Sequence, residues 1–476
     1  MAWTSHKLAR KFLPFALGII LLAGCATYHP QPISPEKIAD SFDARSLTNE
    51  ALHAFLQTNH VAGAWPRPSW DLNALALVAF YYQPTFAEAR LQWTAIQASV
   101  ITAGQRPNPS VTFTPAYDNQ IPDNPTPWII PVTLDIPIET AGKRGKRIAE
   151  ANELSDAARW DFISAAWQTR SQVRTALLNY YDARENESLL VRQEVAQSNV
   201  VRLLEGQLNA GSASDFDVTQ ARVALETTQL SVQDTLGQLN QAHAALAAAL
   251  GVPLHALDGV EFSFEDMNRF PRDLTKPEVR RQALFNRADV RSALADYAAS
   301  QSALQLEIAN QYPDIHLGPG YAYNSGNAGD NQFQLGVTMD LPILNHNEGP
   351  VAEAEAKRKQ AAAHFLSVQA AAVSQIDSAL AGYDAALNES ATAKSLLVNL
   401  QKQLDSTREQ AKMGEVDSLA LADAESAYCN GMQNQLGAQI KAQQALGALE
   451  DAVQSPLTLS SETLDTVQKN LSTTQP

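Results

Sequence analysis

Carboxylates crowd two short stretches of this sequence. Asp215 and Asp217 follow Gly211, and Glu415, Asp417 and Asp423 follow Gly414. A ring of such groups around a lumen would concentrate cations and reject anions. The same positions suit helix capping, because a carboxylate at a helix N-terminus meets free N–H groups and the favourable end of the dipole. Capping is the first reading for Asp215 and Asp417, and a lumen-facing role is the first reading for Asp423. Other groups of chemical potential are scattered. The nine histidines form no His-x-x-x-His pair, and there is no nucleophile elbow or phosphate-binding loop. Ser34-Pro35-Glu36-Lys37 has a Ser-x-x-Lys spacing, but it lies in a proline-rich stretch without partner motifs and is a chance match. His346 beside Glu348 reads first as a surface hinge, and five methionines with two cysteines give no soft-metal cluster. No catalytic residue, no resident metal and no cofactor is expected.

Cys25 carries a different chemistry. Lys7, Arg10 and Lys11 precede the apolar run Phe12 to Leu22, the layout of a secretory signal too short to span a membrane as a helix. Leu22-Ala23-Gly24-Cys25 resembles a bacterial lipobox, in which Cys25 is acylated and becomes the mature N-terminus. Ala26, rather than Asp, favours the outer membrane as destination. Cys429 is then the only other cysteine, so no internal disulfide forms, and a buried, inert thiol is expected there. The net charge of −16 becomes three more negative once the signal is removed. Such a surface disfavours nucleic acid as a partner.

Long helices must position the carboxylates. Residues 145–208 run without proline, about 95 Å as a single helix. The run halts at Asn209-Ala210-Gly211-Ser212, and a second run returns from Asp215 to Leu250. Its heptad seam comprises Val218, Ala221, Leu225, Thr228, Val232, Thr235, Leu239, Ala242, Leu246 and Ala249. The design then recurs. Asp340-Leu341-Pro342-Ile343 repeats Asp135-Ile136-Pro137-Ile138 at an offset of 205, and Lys412-Met413-Gly414 repeats Asn209-Ala210-Gly211 at 203. Val453-Gln454-Ser455-Pro456-Leu457 repeats Leu250-Gly251-Val252-Pro253-Leu254 at 203, and the stretch from Pro313 to Pro319 lies 204 after that from Pro109 to Pro115. Four landmarks share one near-constant offset, so the chain is a tandem duplication. The second half supplies helices at about 351–411 and 417–453. Shorter helices, Thr85 to Ala103 and Arg287 to Asn310, would stack end to end with the return helices beside each long one.

Strands are expected at about 109–118, 126–138, 313–324 and 331–343. The last alternates Phe333, Leu335, Val337, Met339 and Leu341 against Gln332, Gln334, Gly336, Thr338 and Asp340. Apolar-out, small-or-polar-in strands of about ten residues fit a transmembrane barrel; a two-sheet sandwich in a soluble domain is the alternative. Four strands cannot close, so a barrel needs several copies. The basic hinge Lys143, Arg144, Lys146 and Arg147 opposes a helix dipole, so headgroups or nearby carboxylates must compensate it, and a pore-lining role is the alternative.

The lipobox, the duplication, the turn Asn209-Ala210-Gly211-Ser212-Ala213-Ser214-Asp215-Phe216-Asp217-Val218 and Ala221-Arg222 together resemble the TolC-type outer-membrane efflux protein family. The junctions from Ile138 to Gly145 and from Leu341 to Gly349 resemble its CzcC-like branch, associated with metal-cation efflux by RND-type pumps. The resemblance covers residues 75–457. It implies a mixed, mainly α fold: a homotrimer with four strands per chain in a shared twelve-stranded transmembrane barrel, and long helices in a periplasmic α-barrel. It further implies a periplasmic adaptor (membrane fusion protein), an inner-membrane RND pump and outer-membrane lipid as partners. Asp217, Arg222, Asp417 and Asp423 become candidates for a periplasmic gate, and Asn209, Ala210, Gly211, Ser212, Met413 and Gly414 for an adaptor-docking tip. The expected layout is a signal peptide (1–24), a lipidated linker (25–74), a first repeat (75–254), a connector (255–286), a second repeat (287–457) and a tail (458–476). Export of organic compounds or polypeptide, and a lipid-anchored coiled-coil scaffold with no lumen, remain as alternatives.

Overall fold

The computed structural model describes residues 27–59, 61, 63–117, 128–271, 276–324 and 330–457. Cys25, nearly all of the two loops between paired strands, and the tail 458–476 lie outside the described residues. The chain divides into two units, residues 1–45 and 46–476. In the first, α1 (Pro35–Asp43) begins at Pro35, which corrects the expectation of an extended linker there. Proline at the first helical turn loses no bond, because that N–H has no intrahelical partner, and its ring presets φ.

The second unit holds α2 (Glu50–Thr58), α3 (Leu72–Tyr82), α4 (Pro84–Ala103), α5 (Lys143–Asn209), α6 (Asp215–Leu250), α7 (Lys276–Asn286), α8 (Ala288–Ala309), α9 (Glu348–Met413) and α10 (Ser418–Val453). α3 is missed by periodicity because it is apolar on every side, as a helix wrapped by core must be; Ala74, Leu75, Val78 and Ala79 are fully buried. α5 and α9 have 67 and 66 residues, about 100 Å of helix each. Neither would hold as an isolated amphipathic helix in water; packing against neighbours stabilises them. α6 lies along α5, and α10 along α9. The α6 seam is its covered face: Val218, Thr228, Val232, Thr235 and Leu246 are buried and its other members half-buried, while Phe216, Val223 and Leu230 stay exposed.

The short helices meet the return helices end to end. Gln83, just before α4, donates Nε2 to the carbonyls of Ala248 (2.8 Å) and Ala249 (3.1 Å) in the last turn of α6. In the second repeat Arg287, just before α8, donates Nη1 to the carbonyl of Ala452 in α10 (2.6 Å), and the Ala288 N–H reaches Gln454 Oε1 (2.7 Å). Both junctions turn on a left-handed residue, Gly251 (φ 73°) and Gln454 (φ 49°). A Cβ at Gly251 would stand 3.0 Å from the Tyr82 carbonyl oxygen, so glycine is required there by space as well as by φ.

The main core lies where α2, α3, the C-terminal end of α6 and the middle of α5 converge, with Leu52, Leu75, Leu177, Leu246 and Leu250 sealed inside. A second cluster joins α9 and α10 through Ile376, Leu380, Tyr383, Leu446 and Leu449. Between α5 and α10 runs a buried polar seam. Glu450, 1% exposed, lies 3.4 Å from Arg170 Nη1 and 3.5 Å from Arg174 Nε, and accepts the Leu457 N–H at 3.0 Å. Burial holds the Arg174 guanidinium below its usual pKa, while Glu450 pulls the other way.

The sheet is antiparallel, ordered β1 (Ser110–Phe113), β3 (Trp128–Ile138), β4 (Ile315–Asn324), β5 (Asp330–Met339), with β2 (Ala116–Tyr117) also on β3. The expected first strand is thus two pieces, interrupted at Thr114-Pro115, since proline has no N–H for the ladder. The last strand ends at Met339 rather than at Ile343, shortly before Pro342.

Candidate functional site

Ladder register fixes what each face of the sheet presents. Ile130 opposes Tyr323, Val132 opposes Tyr321, Tyr321 opposes Phe333, and Leu317 opposes Val337. All are apolar or aromatic; those on β5 are the most open, Phe333 83% exposed, Leu335 70% and Val337 65%, while Leu317 on β4 is half-buried. The other face carries Thr133 opposite Gly320, Gly318 opposite Gly336, and Gly320 opposite Gln334. Contiguous exposed apolar surface of this kind marks a surface made for lipid or another chain. The strands at either side of the sheet, β1 with β2 and β5, each have one edge with no strand against it among the described residues.

Among the described strand residues, two ionisable side chains on the polar face meet. His316 Nδ1 lies 3.1 Å from both Oδ1 and Oδ2 of Asp135. They are 181 positions apart, and no local motif flags them. The usable signal was shared face and shared distance from the strand end: Pro137 opposes His316 in the register, which sets Asp135 diagonally beside it.

At the strand-to-helix hinge the basic residues are all bonded within the chain. Lys143 Nζ binds Asp314 (2.8 Å), whose carboxylate also takes the Thr140 N–H (2.9 Å). Arg147 forms a two-pronged pair with Glu139 (2.5 and 3.1 Å), Arg144 donates to the Gly104 carbonyl and Lys146 to Gln305. Carboxylates within the chain thus compensate Lys143 and Arg147 at the helix N-terminus. His346 is exposed, and Asn347 (φ 60°) starts α9 as Gly142 (φ 70°) starts α5.

The far ends of the hairpins are two matching turns. α5 stops with Ser212 N–H on the Gln207 carbonyl (2.8 Å) and Gly211 N–H on Leu208 (2.9 Å); α9 stops with Glu415 on Gln410 (2.9 Å) and Gly414 on Ala411 (3.1 Å). Both are Schellman motifs closed by a left-handed glycine, φ 78° at Gly211 and 73° at Gly414. Asn209, Ala210, Gly211, Ser212, Met413 and Gly414 are all exposed, with Phe216 and Met413 offering apolar surface.

The carboxylates near these turns separate into distinct roles. Ser214, not Asp215, caps α6, in a capping box with Asp217: Asp217 accepts the Ser214 N–H (3.1 Å) and Oγ–H (2.7 Å). Those Ser214 bonds hold the Asp217 carboxyl below the usual carboxylate range. Asp417 caps α10 by accepting the Ala420 N–H at 2.8 Å. Asp423 is exposed and makes no side-chain hydrogen bond or ion pair among the described residues. Asp217 bonds Ser214 and not Arg222. Arg222 reaches across the hairpin to Glu205 (2.5 and 3.2 Å), a bond that raises its pKa. Arg408 reaches Glu425 likewise (3.2 Å). Glu205, Arg408 and Glu425 were missed, because each sits one turn or more away from the glycines used as landmarks. Among the described residues no three His, Cys, Asp or Glu gather as a metal site, and no helix is long and apolar enough to cross a membrane.

The chain is 25% identical to the cobalt-zinc-cadmium resistance protein CzcC of Cupriavidus metallidurans over 234 residues, 49% of this chain and 55% of that protein. It is 28% identical to the pyoverdine export outer membrane protein OpmQ of Pseudomonas aeruginosa, over 43% of this chain and 44% of the other. It is 23% identical to the cation efflux system protein CusC of Escherichia coli, over 57% and 62%. These matches span about half the length of the relatives. In fold it is similar to a solved structure of CusC (TM-score 0.65, 18% identity, 82% of this chain and 94% of that one). The Vibrio cholerae outer membrane protein VceC gives a TM-score of 0.67 at 18% identity, over 81% and 96%. The outer membrane efflux protein profile matches residues 81–252 and 279–453, one stretch in each half of the duplication, and the chain belongs to that family.

Proposed function

We propose that the chain is one protomer of a homotrimeric outer-membrane exit duct that releases metal cations. The observation that carries this reading is the sheet, with one exposed apolar face, one small polar face and two open edges. Lipid does not tolerate open edges, and one chain has too few strands to close. Three copies would supply a twelve-stranded ring. Acylation at Cys25 would tether each copy to the membrane. The hairpin tips would dock a periplasmic adaptor, which links the duct to an inner-membrane pump of the RND type.

Metal cargo is supported by the names of two relatives, a cobalt-zinc-cadmium resistance protein and a cation efflux system protein. Organic cargo is the second reading, supported by the pyoverdine export relative. A lipid-anchored scaffold would use the hairpins but has no need of the exposed apolar sheet. Asp423 is the gate residue we favour, with Arg222 acting through Glu205, and Asp217 and Asp417 shaping the tips as caps.

The test is purification in detergent, followed by planar-bilayer recording and metal sensitivity of a deletion strain. Heat-modifiable trimers with cation-selective conductance, and a strain sensitised to divalent transition metals, are expected. Detergent-independent monomers without conductance would overturn the duct. Sensitivity to organic compounds alone would overturn the metal cargo.

A further inference from the structure

We infer that His316 and Asp135 form a transit site for a borderline divalent transition-metal cation on the polar wall of the sheet. The inference rests on the duct reading for its location and on side-chain geometry for its chemistry. Nδ1 is equidistant, at 3.1 Å, from both carboxylate oxygens. A metal held at about 2.0–2.2 Å by one imidazole nitrogen and one carboxylate oxygen, at near a right angle, needs a nitrogen–oxygen edge of about 3 Å. The nitrogen and either oxygen are therefore already at the spacing of two cis ligands of one cation, which would sit to the side of the line joining them.

The surroundings fit such an exchange. The two side chains are 39% and 41% exposed, so the pair is open to solvent. The ladder sets Pro137 and Thr338 beside His316 and Ser110 beside Asp135, while Gly318 meets Gly336, so the wall around the pair is built of small side chains. Lys143 is held 2.8 Å from Asp314, so it does not compete for Asp135. Asp314, two positions before His316, is itself occupied by Lys143 and the Thr140 N–H.

Imidazole with carboxylate selects borderline divalent ions over calcium or magnesium, which want oxygen alone, and over soft monovalent ions, which want sulfur. Met339 does not change this, since it opposes Ile315 on the apolar face. Only two ligands come from the protein, and water must complete the shell. That makes binding weak and fast to reverse, as conduction requires.

Cu²⁺ added to the full-length trimer in detergent is the probe, read by electron paramagnetic resonance and calorimetry. Wild type should show a copper signal with nitrogen hyperfine structure at one site per chain. His316→Gln should remove that nitrogen signature and weaken binding about tenfold, Asp135→Asn should weaken it about tenfold, and His346→Gln should change neither. A nitrogen signature that survives His316→Gln, or affinity unchanged in both variants, would overturn the site. Circular dichroism and the trimer band check that each variant is folded; if His316→Gln fails, Asp135→Asn with the same readouts decides. Conductance is recorded on the same samples: conductance without copper binding removes the site alone, and copper binding without conductance removes the duct and keeps the site.

Discussion

Glu205 and Arg408 occupy one place in the two hairpins, 203 residues apart, and carry opposite charge. Their partners are reversed with them: Glu205 holds Arg222 on α6, and Arg408 holds Glu425 on α10, again 203 residues apart. Arg202 and Asp405 invert in the same sense. Each hairpin thus keeps its cross-link near the tip, while the two hairpins differ in sign at every one of these positions. In the proposed trimer the hairpins alternate around the axis, so each would face a neighbour of opposite sign at its own height.

Charge reversal separates the two levels. The residues of the pairs are substantially exposed, so solvent screening leaves each bond a small contribution to stability. Glu205→Arg should raise amide exchange across residues 200–225. Adding Arg222→Glu should restore protection, because the pair re-forms with its sign reversed. The double variant should nevertheless open the tips, since both hairpins would now carry the same polarity, and bilayer conductance should rise. Unchanged conductance in the double variant would mean that neighbouring hairpins do not meet there.

Acid should loosen the α6 start before the rest of the hairpin. The Ser214 bonds hold the Asp217 carboxyl below its ordinary value of 3.8. A carboxylate depressed in the folded state contributes fully above its unfolded pKa, and that contribution is lost as pH falls through the folded value. Exchange at residues 214–218 should therefore be flat down to about pH 4 and rise below it, and Asp217→Asn should flatten the rise. A pH-independent profile in the wild type would show that the capping box is not a source of stability.

Much of this architecture was legible because glycine and proline punctuate it. Gly211 and Gly414 mark the tips, and the 203–205 offsets reveal the second copy without any structural knowledge. Where the punctuation is replaced, legibility fails. Gln454 does at the end of α10 what Gly251 does at the end of α6, yet nothing in a glutamine announces a left-handed turn. α3 has no period, because every face is buried. Asp217 reads as a gate carboxylate from its place after the turn, but a carboxylate three residues after a serine cap is claimed first by the serine. His316 and Asp135 meet only through ladder register, which depends on two strands from different repeats.

The buried seam between the repeats should be intolerant of partial removal. Glu450 faces Arg170 and Arg174, both largely buried. Truncating one member of a buried charge group leaves the others uncompensated, at about 3–5 kcal/mol. Glu450→Ala should lower the unfolding free energy by that amount, measured by denaturant titration. Arg174→Met should cost less, because it removes a desolvated cation and leaves Arg170 to pair with Glu450. Equal costs would mean that packing, not charge, governs this seam. Gly447→Ala should also destabilise, since its Cβ would overlap the Arg174 guanidinium.

The sheet makes the most direct claim on membrane residence. Leu335 and Val337 stand on the apolar face with most of their surface open, and Gln334 and Thr338 alternate with them on the other. If the apolar face meets hydrocarbon, Arg at Leu335 or Val337 should cost about 2–4 kcal/mol near the midplane. The cost should appear as lost trimer in outer-membrane fractions. Arg at Thr338 should leave trimer yield unchanged and reduce cation selectivity, because it adds a fixed positive charge to the lumen wall. Gln334→Arg should behave the same way with a small packing cost, since the Gln334 side chain lies against Gly320. Equal tolerance on both faces would assign the apolar surface to another protein rather than to lipid, and the duct would lose its principal support.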